Sequence, residues 1–185
     1  MFVYMNGSFV KKDEAVISPF DHGFLYGLGV FETFRIYNGH PFLLDDHLER
    51  LNASLRVLDI EADFTRVEIV KILEGLLEKN NFRDAYIRFN VSAGNGEIGL
   101  KTESYLEPNV IVFAKPLPQA GSMSEKKAVL LDLRRNTPEG TERLKSHHYL
   151  NNVLAKREAG PDMGTEGIFL TSEGFLAEGI VSNIF

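Results

Sequence analysis

The sequence contains no cysteine and no tryptophan, and it lacks both a long apolar run and a cluster of basic residues. Without cysteine, this chain can form no disulfide, no thiolate metal site and no cysteine nucleophile. No apolar run approaches the roughly 20 residues that a membrane-spanning helix needs, so we predict no membrane span. The formal net charge of -6 and the lack of a Lys/Arg-rich run argue against nucleic acid as the main partner.

The composition is that of an ordinary globular protein, with 44% hydrophobic and 25% charged residues among 185. This length allows one large domain or two small ones. The first stretch, "MFVYMNGSFVKKDEA", has no basic region followed by an apolar run, so we predict no signal peptide. Together with the lack of cysteine, these features predict a cytoplasmic location.

One stretch of the chain has the composition of a linker. "PLPQAGSMSEKK", residues 116–127, is rich in Pro, Gly and Ser and has no hydrophobic period. We predict an N-terminal α+β domain over residues 1–115, a linker over 116–126 and a β-rich second domain over 127–185. The last stretch, "GFLAEGIVSNIF", stops in an apolar, β-branched run, whereas chain ends are usually polar. The second domain is therefore expected to be truncated at its C-terminal end.

Hairpin and helix signals alternate in the first domain. The Asn-Gly pairs at 6–7 and 38–39 each lie between β-prone runs, a strong hairpin signal. Leucines recur at helical spacing over 44–58, and Thr65 with Glu68 forms a capping-box pattern before a second amphipathic helix. "AYIRFNVSAG" and "NVIVFAKPLP" have the composition of strands, and "ISPFDHGFLYGLG" is interpreted as loop and turns. These elements predict a two-layer α/β arrangement.

The second domain is predicted to hold three strands and one helix. "AVLLDL" is interpreted as a buried strand, and "GIFLT" and "GFLAEGIVSNIF" as further strands. "SHHYLNNVLAKREA", residues 146–159, is interpreted as a helix. His147 and His148 would then point about 100° apart, which is poor spacing for one metal ion, so no metal site is predicted.

Lys145, in "TERLKSHHYLNN", is the only lysine between Lys127 and Lys156. A lysine amine has a pKa of about 10.4 and is inert at neutral pH unless it is desolvated or lies near another cation. Taken alone, Lys145 is either a surface lysine or an amine that carries out covalent chemistry.

Two charged residues allow a structural and a functional interpretation. Arg50, in "HLERL", is either a solvated arginine on a helix face or a fork that binds a phosphate. Glu178, in "FLAEGIVSNIF", lies among apolar residues, where a carboxylate needs a partner. That partner is either a structural cation or the ring nitrogen of a cofactor.

Taken together, three stretches resemble the class IV aminotransferases, the fold type IV pyridoxal-phosphate enzymes. They are "SPFDHGFLYGLGVFETFRIYNG", "RRNTPEGTERLKSHHYLNN" and "EGIFLTSEGFLAEGIVSNIF", and the similarity runs from "YMNGSFV" to the last residue. The resemblance implies pyridoxal 5'-phosphate as cofactor. It implies that Lys145 forms the Schiff base, Arg50 binds the phosphate and Glu178 pairs with the ring nitrogen. It further places Tyr149 near the cofactor hydroxyl and Ser182 at the cofactor site.

Within this family the pattern is most similar to the 4-amino-4-deoxychorismate lyases. That resemblance implies release of 4-aminobenzoate and pyruvate for folate synthesis, with Lys145 as acid and base and Thr33 beside the reacting carbon. "SAGNG" has Ala93 and Gly94 where D-amino-acid aminotransferases have an arginine, and "FETFR" lacks the glycine that is common in branched-chain enzymes.

Two alternatives remain open beside the lyase. One is an aminotransferase for branched-chain or D-amino acids, and the other is an inactive, truncated piece of such an enzyme. The resemblance also implies a small-molecule substrate and a homodimer.

Overall fold

The structure, a computed structural model, describes residues 1–117 and 125–185. They divide into two compact units. The first holds residues 1–117 together with Lys145–His147, and the second holds residues 125–144 and 148–185. Of the predicted linker, residues 118–124 lie outside the described residues, so the predicted domain boundaries stay a prediction.

The first unit is built on a six-stranded antiparallel sheet with two longer helices. Its strands are β1 (Phe2–Met5), β2 (Ser8–Lys11), β3 (Gly29–Tyr37), β4 (His40–Pro41), β5 (Ala85–Ser92) and β6 (Asn109–Pro116). Its helices are α1 (His22–Tyr26), α2 (Leu44–Val57) and α3 (Arg66–Asn80). The strand order is β2-β1-β6-β5-β3-β4, and every neighbouring pair is antiparallel.

Both predicted hairpins are confirmed. Asn6 and Gly7 have φ angles of 45° and 92°, and Asn38 and Gly39 have φ angles of 49° and 80°. A positive φ at both central residues gives a turn whose twist matches that of the flanking strands. The two Asn-Gly pairs therefore set the registers of β1 with β2 and of β3 with β4.

Helices α2 and α3 form where the leucine spacing and the capping box predict them. Buried leucines of α2 face the sheet, namely Leu44, Leu48, Leu51 and Leu55. Leu58 is only half-buried, because it is the C-cap of the helix. Thr65 caps α3 in a capping box with Glu68, as predicted. These helices pack against one face of the sheet.

The stretch interpreted as loop and turns contains a short helix, α1. Asp21 is buried, and its Oδ1 accepts hydrogen bonds from the backbone N–H groups of Gly23 and Phe24 at 2.6 and 3.2 Å. Its Oδ2 accepts another from Ser92 Oγ at 2.8 Å. Gly27, with φ 69°, ends the helix in the left-handed conformation. The sequence prediction was wrong here because a buried N-cap, bonded to a distant strand, stabilises a helix of only five residues.

The second unit has a three-stranded sheet and one helix. Its elements are β7 (Lys127–Leu130), α4 (Leu150–Ala159), β8 (Thr165–Leu170) and β9 (Leu176–Gly179). β7 and β8 are parallel, and β9 is antiparallel to β8. The core consists of Leu131, Ala155, Phe169 and Ile180.

Three predictions for this unit need correction. The strand at "AVLLDL" is not buried, because Leu130 is 64% exposed and the core residue of that stretch is Leu131, just after β7. The helix predicted over 146–159 begins only at Leu150. The last predicted strand is limited to β9, after which Gly179 N–H donates to the carbonyl of Ser182 in a turn. No helix among the described residues is long and apolar enough to cross a membrane.

Candidate active site

Lys145 lies in a short extended segment that pairs with β3. Phe31 N–H donates to the carbonyl of Lys145 at 2.9 Å, and His147 N–H donates to the carbonyl of Gly29 at 3.0 Å. Ser146 and Val30 form an antiparallel bridge between these two bonds. The backbone groups of residues 145–147 therefore serve sheet pairing, which explains why the helix begins later than predicted.

The amine of Lys145 lies over an aromatic ring. Its Nζ is 5.0 Å from the ring centroid of Phe31, a fully buried core residue. The guanidinium carbon of Arg88 is 3.7 Å from the centroid of the same ring. Lys145 itself is half-buried. Partial desolvation and a second cation nearby are the physical conditions for a nucleophilic lysine.

Thr33 shares a sheet face with Lys145. It lies two residues beyond Phe31 on β3, and alternate residues of a strand point to the same side. In the register of β3 with β5, Thr33 pairs with Arg88. We call Lys145, Phe31, Thr33 and Arg88 the lysine face. Arg88 was not singled out from the sequence, although a lone arginine in the apolar strand "AYIRFNVS" is the signal that could have found it.

Glu32, between Phe31 and Thr33, points to the opposite face of the sheet. Only 2% of its side chain is exposed, and it accepts from Arg50 Nε at 2.5 Å and from a second Arg50 nitrogen at 2.6 Å. His47 Nδ1 lies 2.8 Å from the same carboxylate. We call Glu32, His47 and Arg50 the Glu32 cluster. Sequence analysis missed Glu32 because its partners lie on α2, a separate element.

The electrostatics of this cluster favour an ion pair between Glu32 and Arg50. Burial alone would raise the pKa of Glu32, but hydrogen bonds from Arg50 and His47, with their charges, lower it overall. The hydrogen bond to Glu32 in turn raises the pKa of Arg50. Two of the five guanidinium N–H donors are committed to Glu32. Because 56% of the Arg50 side chain is exposed, the other donors can reach an oxyanion.

Glu178 is held by an arginine in the second unit. Arg135 Nε donates to Glu178 Oε1 at 2.6 Å, and Arg135 also donates to the side-chain oxygens of Asn136 and Asn151. The Glu178 side chain is 34% exposed. No described residue donates a hydrogen bond to Oε2 of Glu178, so this oxygen can accept one from a ligand.

The other two predicted cofactor residues also lie in the second unit. Tyr149 is the N-cap of α4 and lines an apolar cavity of about 330 Å³ with Ile180 and Val181. Ser182 Oγ donates to Glu166 at 3.0 Å, in the turn after β9. The roles predicted for Tyr149 and Ser182 stay predictions. In the part of the chain that the structure describes, no group of three or more His, Asp or Glu residues could hold a metal ion.

The sequence matches the family model "Amino-transferase class IV" over residues 29–185. It is 51% identical to aminodeoxychorismate lyase of Bacillus subtilis, over 99% of this chain and 63% of the lyase. It is 30% identical to D-alanine aminotransferase of Bacillus licheniformis, over 100% of this chain and 65% of that enzyme. The chain therefore spans a little under two thirds of these relatives' length.

The fold is similar to that of a solved aminotransferase. The T.th. branched-chain amino acid aminotransferase, complexed with N-(5'-phosphopyridoxyl)-L-glutamate, superposes with a TM-score of 0.83 at 30% identity. This match covers 97% of the present chain and 62% of the aminotransferase.

Proposed function

The chain belongs to the class IV amino-transferase family, which has the type IV fold of pyridoxal-phosphate enzymes, and from this premise we propose that it is a lyase. Its substrate is 4-amino-4-deoxychorismate, and its products are 4-aminobenzoate and pyruvate. The observation that carries this proposal is the 51% identity to a Bacillus subtilis enzyme named for that reaction. In the same proposal the protein is a cytoplasmic homodimer that works in folate synthesis.

Each of the three chemically distinct parts of the proposed cofactor has a side chain of matching chemistry. Arg50, oriented by Glu32 and half-exposed, has donors left for the phosphate. Glu178 has one oxygen left for the ring nitrogen, and Lys145 supplies the amine for the aldehyde. Tyr149 and Ser182 are proposed as further contacts. When bound, pyridoxal 5'-phosphate supplies a ring that withdraws electrons from the reacting carbon.

The reaction needs one base and a surface that orients the substrate. Lys145 Nζ removes the proton from C4 of the substrate. The C3–O bond then breaks with its electron pair on oxygen, and the pyruvate enolate that leaves takes up on carbon the proton that Lys145 holds. Loss of these groups makes the ring aromatic, which supplies much of the driving force. On the lysine face, Thr33 offers a hydroxyl near the reacting carbon, and Arg88 offers a cation for one of the two substrate carboxylates.

A comparison of the turnover rates of three substrate sets tests this proposal. We expect the protein, in the length that its gene encodes, to release 4-aminobenzoate and pyruvate without an added keto acid. We expect kcat/KM to be at least about 10-fold lower for D-alanine with 2-oxoglutarate and for leucine with 2-oxoglutarate, since specificity is a ratio of these values. Faster turnover of either amino acid would reject the lyase in favour of an aminotransferase.

A class IV aminotransferase is the second candidate, favoured by the 30% identity to D-alanine aminotransferase. One feature argues against a D-amino-acid substrate. Ala93, where those enzymes carry a carboxylate-binding arginine, is only 1% exposed, so an arginine there would require the loop to move.

A third candidate, an inactive piece of such an enzyme, predicts that the purified protein shows no visible absorbance from bound cofactor.

Arg50→Ala is expected to weaken the binding of pyridoxal 5'-phosphate by about 10- to 150-fold. This range follows from about 1.5–3 kcal/mol for a charge-assisted hydrogen bond, at 1.4 kcal/mol per factor of ten. Titration followed by visible absorbance measures the dissociation constant. Arg50→Lys keeps a cation beside Glu32 but loses the fork, so it separates cofactor binding from folding. Arg56→Ala, an exposed arginine of α2, is the control. An unchanged dissociation constant in both Arg50 variants would contradict the phosphate role.

A further inference from the structure

A polar cavity of about 480 Å³ lies in the second unit beside Glu178. Its size is within the range of pockets that hold small ligands, about 300–1,000 Å³. Two arginines, Arg135 and Arg143, line it together with two glutamates, Glu173 and Glu178. The two arginines differ in how their charges are matched.

Arg135 has a direct ion-pair partner within the described part of the unit, whereas Arg143 has none. Arg135 forms a 2.6 Å ion pair with Glu178, and its side chain is only 13% exposed. Arg143 donates to the carbonyl and the side-chain oxygen of Asn136, both of which are uncharged. Among residues 1–117 and 125–185, no carboxylate lies within 4.0 Å of the Arg143 guanidinium. Arg143 thus has no ion-pair partner of its own among the described residues of the cavity wall.

Two features around Arg143 disfavour its guanidinium charge. Partial desolvation of the guanidinium lowers the pKa of Arg143, and the charge of Arg135 lowers it further. Glu178 and Glu139 act in the opposite direction without cancelling these effects. Arginine stays protonated in proteins, so Arg143 keeps its charge here and can bind an anion. The residue is exposed overall, which leaves a ligand access to it.

A purely structural role for Arg143 accounts for only two of its five N–H donors. The two bonds to Asn136 hold the loop between β7 and α4. They use one N–H on each terminal nitrogen, and a guanidinium has five N–H groups in all. The remaining donors form a planar fork of the kind that binds a carboxylate through two parallel hydrogen bonds.

We infer that Arg143 binds a carboxylate of the acid substrate in this cavity. The inference deepens the proposed function and rests on it, because a cofactor ring at Glu178 would bring the substrate to this cavity. The substrate 4-amino-4-deoxychorismate carries two carboxylates, and one of them is assigned to Arg143. A phosphate shares the oxyanion chemistry of a carboxylate, so the experiment must separate the cofactor phosphate from the substrate acid.

Two unreactive acids serve as probes of the cofactor-loaded protein in the length that its gene encodes. Chorismate keeps both carboxylates but has a hydroxyl in place of the amine, and 2-oxoglutarate is a linear dicarboxylate. Calorimetric titration compares the wild type with Arg143→Gln, Arg143→Lys and the control Arg157→Gln, an exposed arginine of α4. We expect Arg143→Gln to weaken the binding of chorismate by about 10- to 150-fold, and Arg143→Lys to weaken it less. The affinity for pyridoxal 5'-phosphate is expected to stay unchanged.

A second measurement on the wild type covers the case in which a variant does not fold. Phenylglyoxal modifies accessible arginines, and mass spectrometry of peptides gives the rate at Arg143. We expect chorismate to slow modification of Arg143 and not of Arg157. Equal rates with and without the acid, unchanged acid binding in Arg143→Gln, or a loss of cofactor affinity instead would each overturn the inference. Release of 4-aminobenzoate by the wild type is scored separately, so failure of the lyase proposal is distinguishable from failure of this one.

Discussion

Lys145→Ala is expected to remove both the covalent attachment of the cofactor and the turnover of the substrate. Loss of general acid–base catalysis alone lowers rates on the order of 10²–10⁴-fold, and loss of the covalent link adds to that. The motivation is the position of Nζ over the Phe31 ring, on the same sheet face as Thr33 and Arg88. Turnover of 4-amino-4-deoxychorismate and reduction with borohydride, followed by peptide mapping, measure the two effects.

The matched control is Lys71→Ala, because Lys71 is an exposed lysine of α3. It should retain wild-type turnover and a cofactor that borohydride fixes at Lys145. Cofactor fixed elsewhere on the chain in Lys145→Ala, or turnover equal to that of the control, would mean that another amine carries the chemistry.

Glu32→Ala is expected to lower the free energy of unfolding by about 1.5–3 kcal/mol, the typical contribution of a hydrogen bond to a charged group, because Glu32 is buried but the arginine left behind is half-exposed. The cause is that Arg50 and His47 on α2 would lose the carboxylate on β3 that both of them contact. Urea denaturation of wild type and variant gives the difference, and Glu49→Ala on the exposed side of α2 should stay within about 0.5 kcal/mol of the wild type. A change for Glu32→Ala as small as that of the control would show that the pair is not needed for folding.

The same carboxylate sets a direction for the pH dependence of stability. The pKa of Glu32 is lowered in the folded state from an ordinary value of 4.5. Its contribution is therefore fully present above the unfolded pKa and is lost as the pH falls through the folded pKa. In Glu32→Gln this part of the acid sensitivity should be missing, and unfolding curves measured below pH 4.5 against those at neutral pH would detect it.

Local signals predicted much of the fold, whereas the site depended on contacts between distant residues. The Asn-Gly hairpins and the capping box at Thr65 require only neighbouring residues, and the structure confirms them. The pairing of Lys145 with Phe31 joins residues far apart in the chain, and no local pattern encodes it. The late start of α4 also follows from this long-range pairing, because residues 145–147 pair with β3 and do not extend the helix.

The partners of the charged residues were missed for a related reason. Composition indicated that Glu178 needs a cation, and its partner, Arg135, precedes it by 43 positions. Glu32 lies 18 positions before Arg50, on another element. A sequence pattern can show that a buried charge needs a partner, but only the folded chain determines which one it finds.

The alternation of side chains along β3 has a consequence for how this gene can change. Glu32 points towards α2, while Phe31 and Thr33 point to the side of Lys145. Inserting or deleting one codon within the strand would move each of these side chains to the opposite side of the sheet. The carboxylate would then lie beside the lysine, and Arg50 would face an apolar or hydroxyl side chain. Substitutions can accumulate in this strand, but length changes are confined to the turns that bound it, such as the one at Asn38 and Gly39.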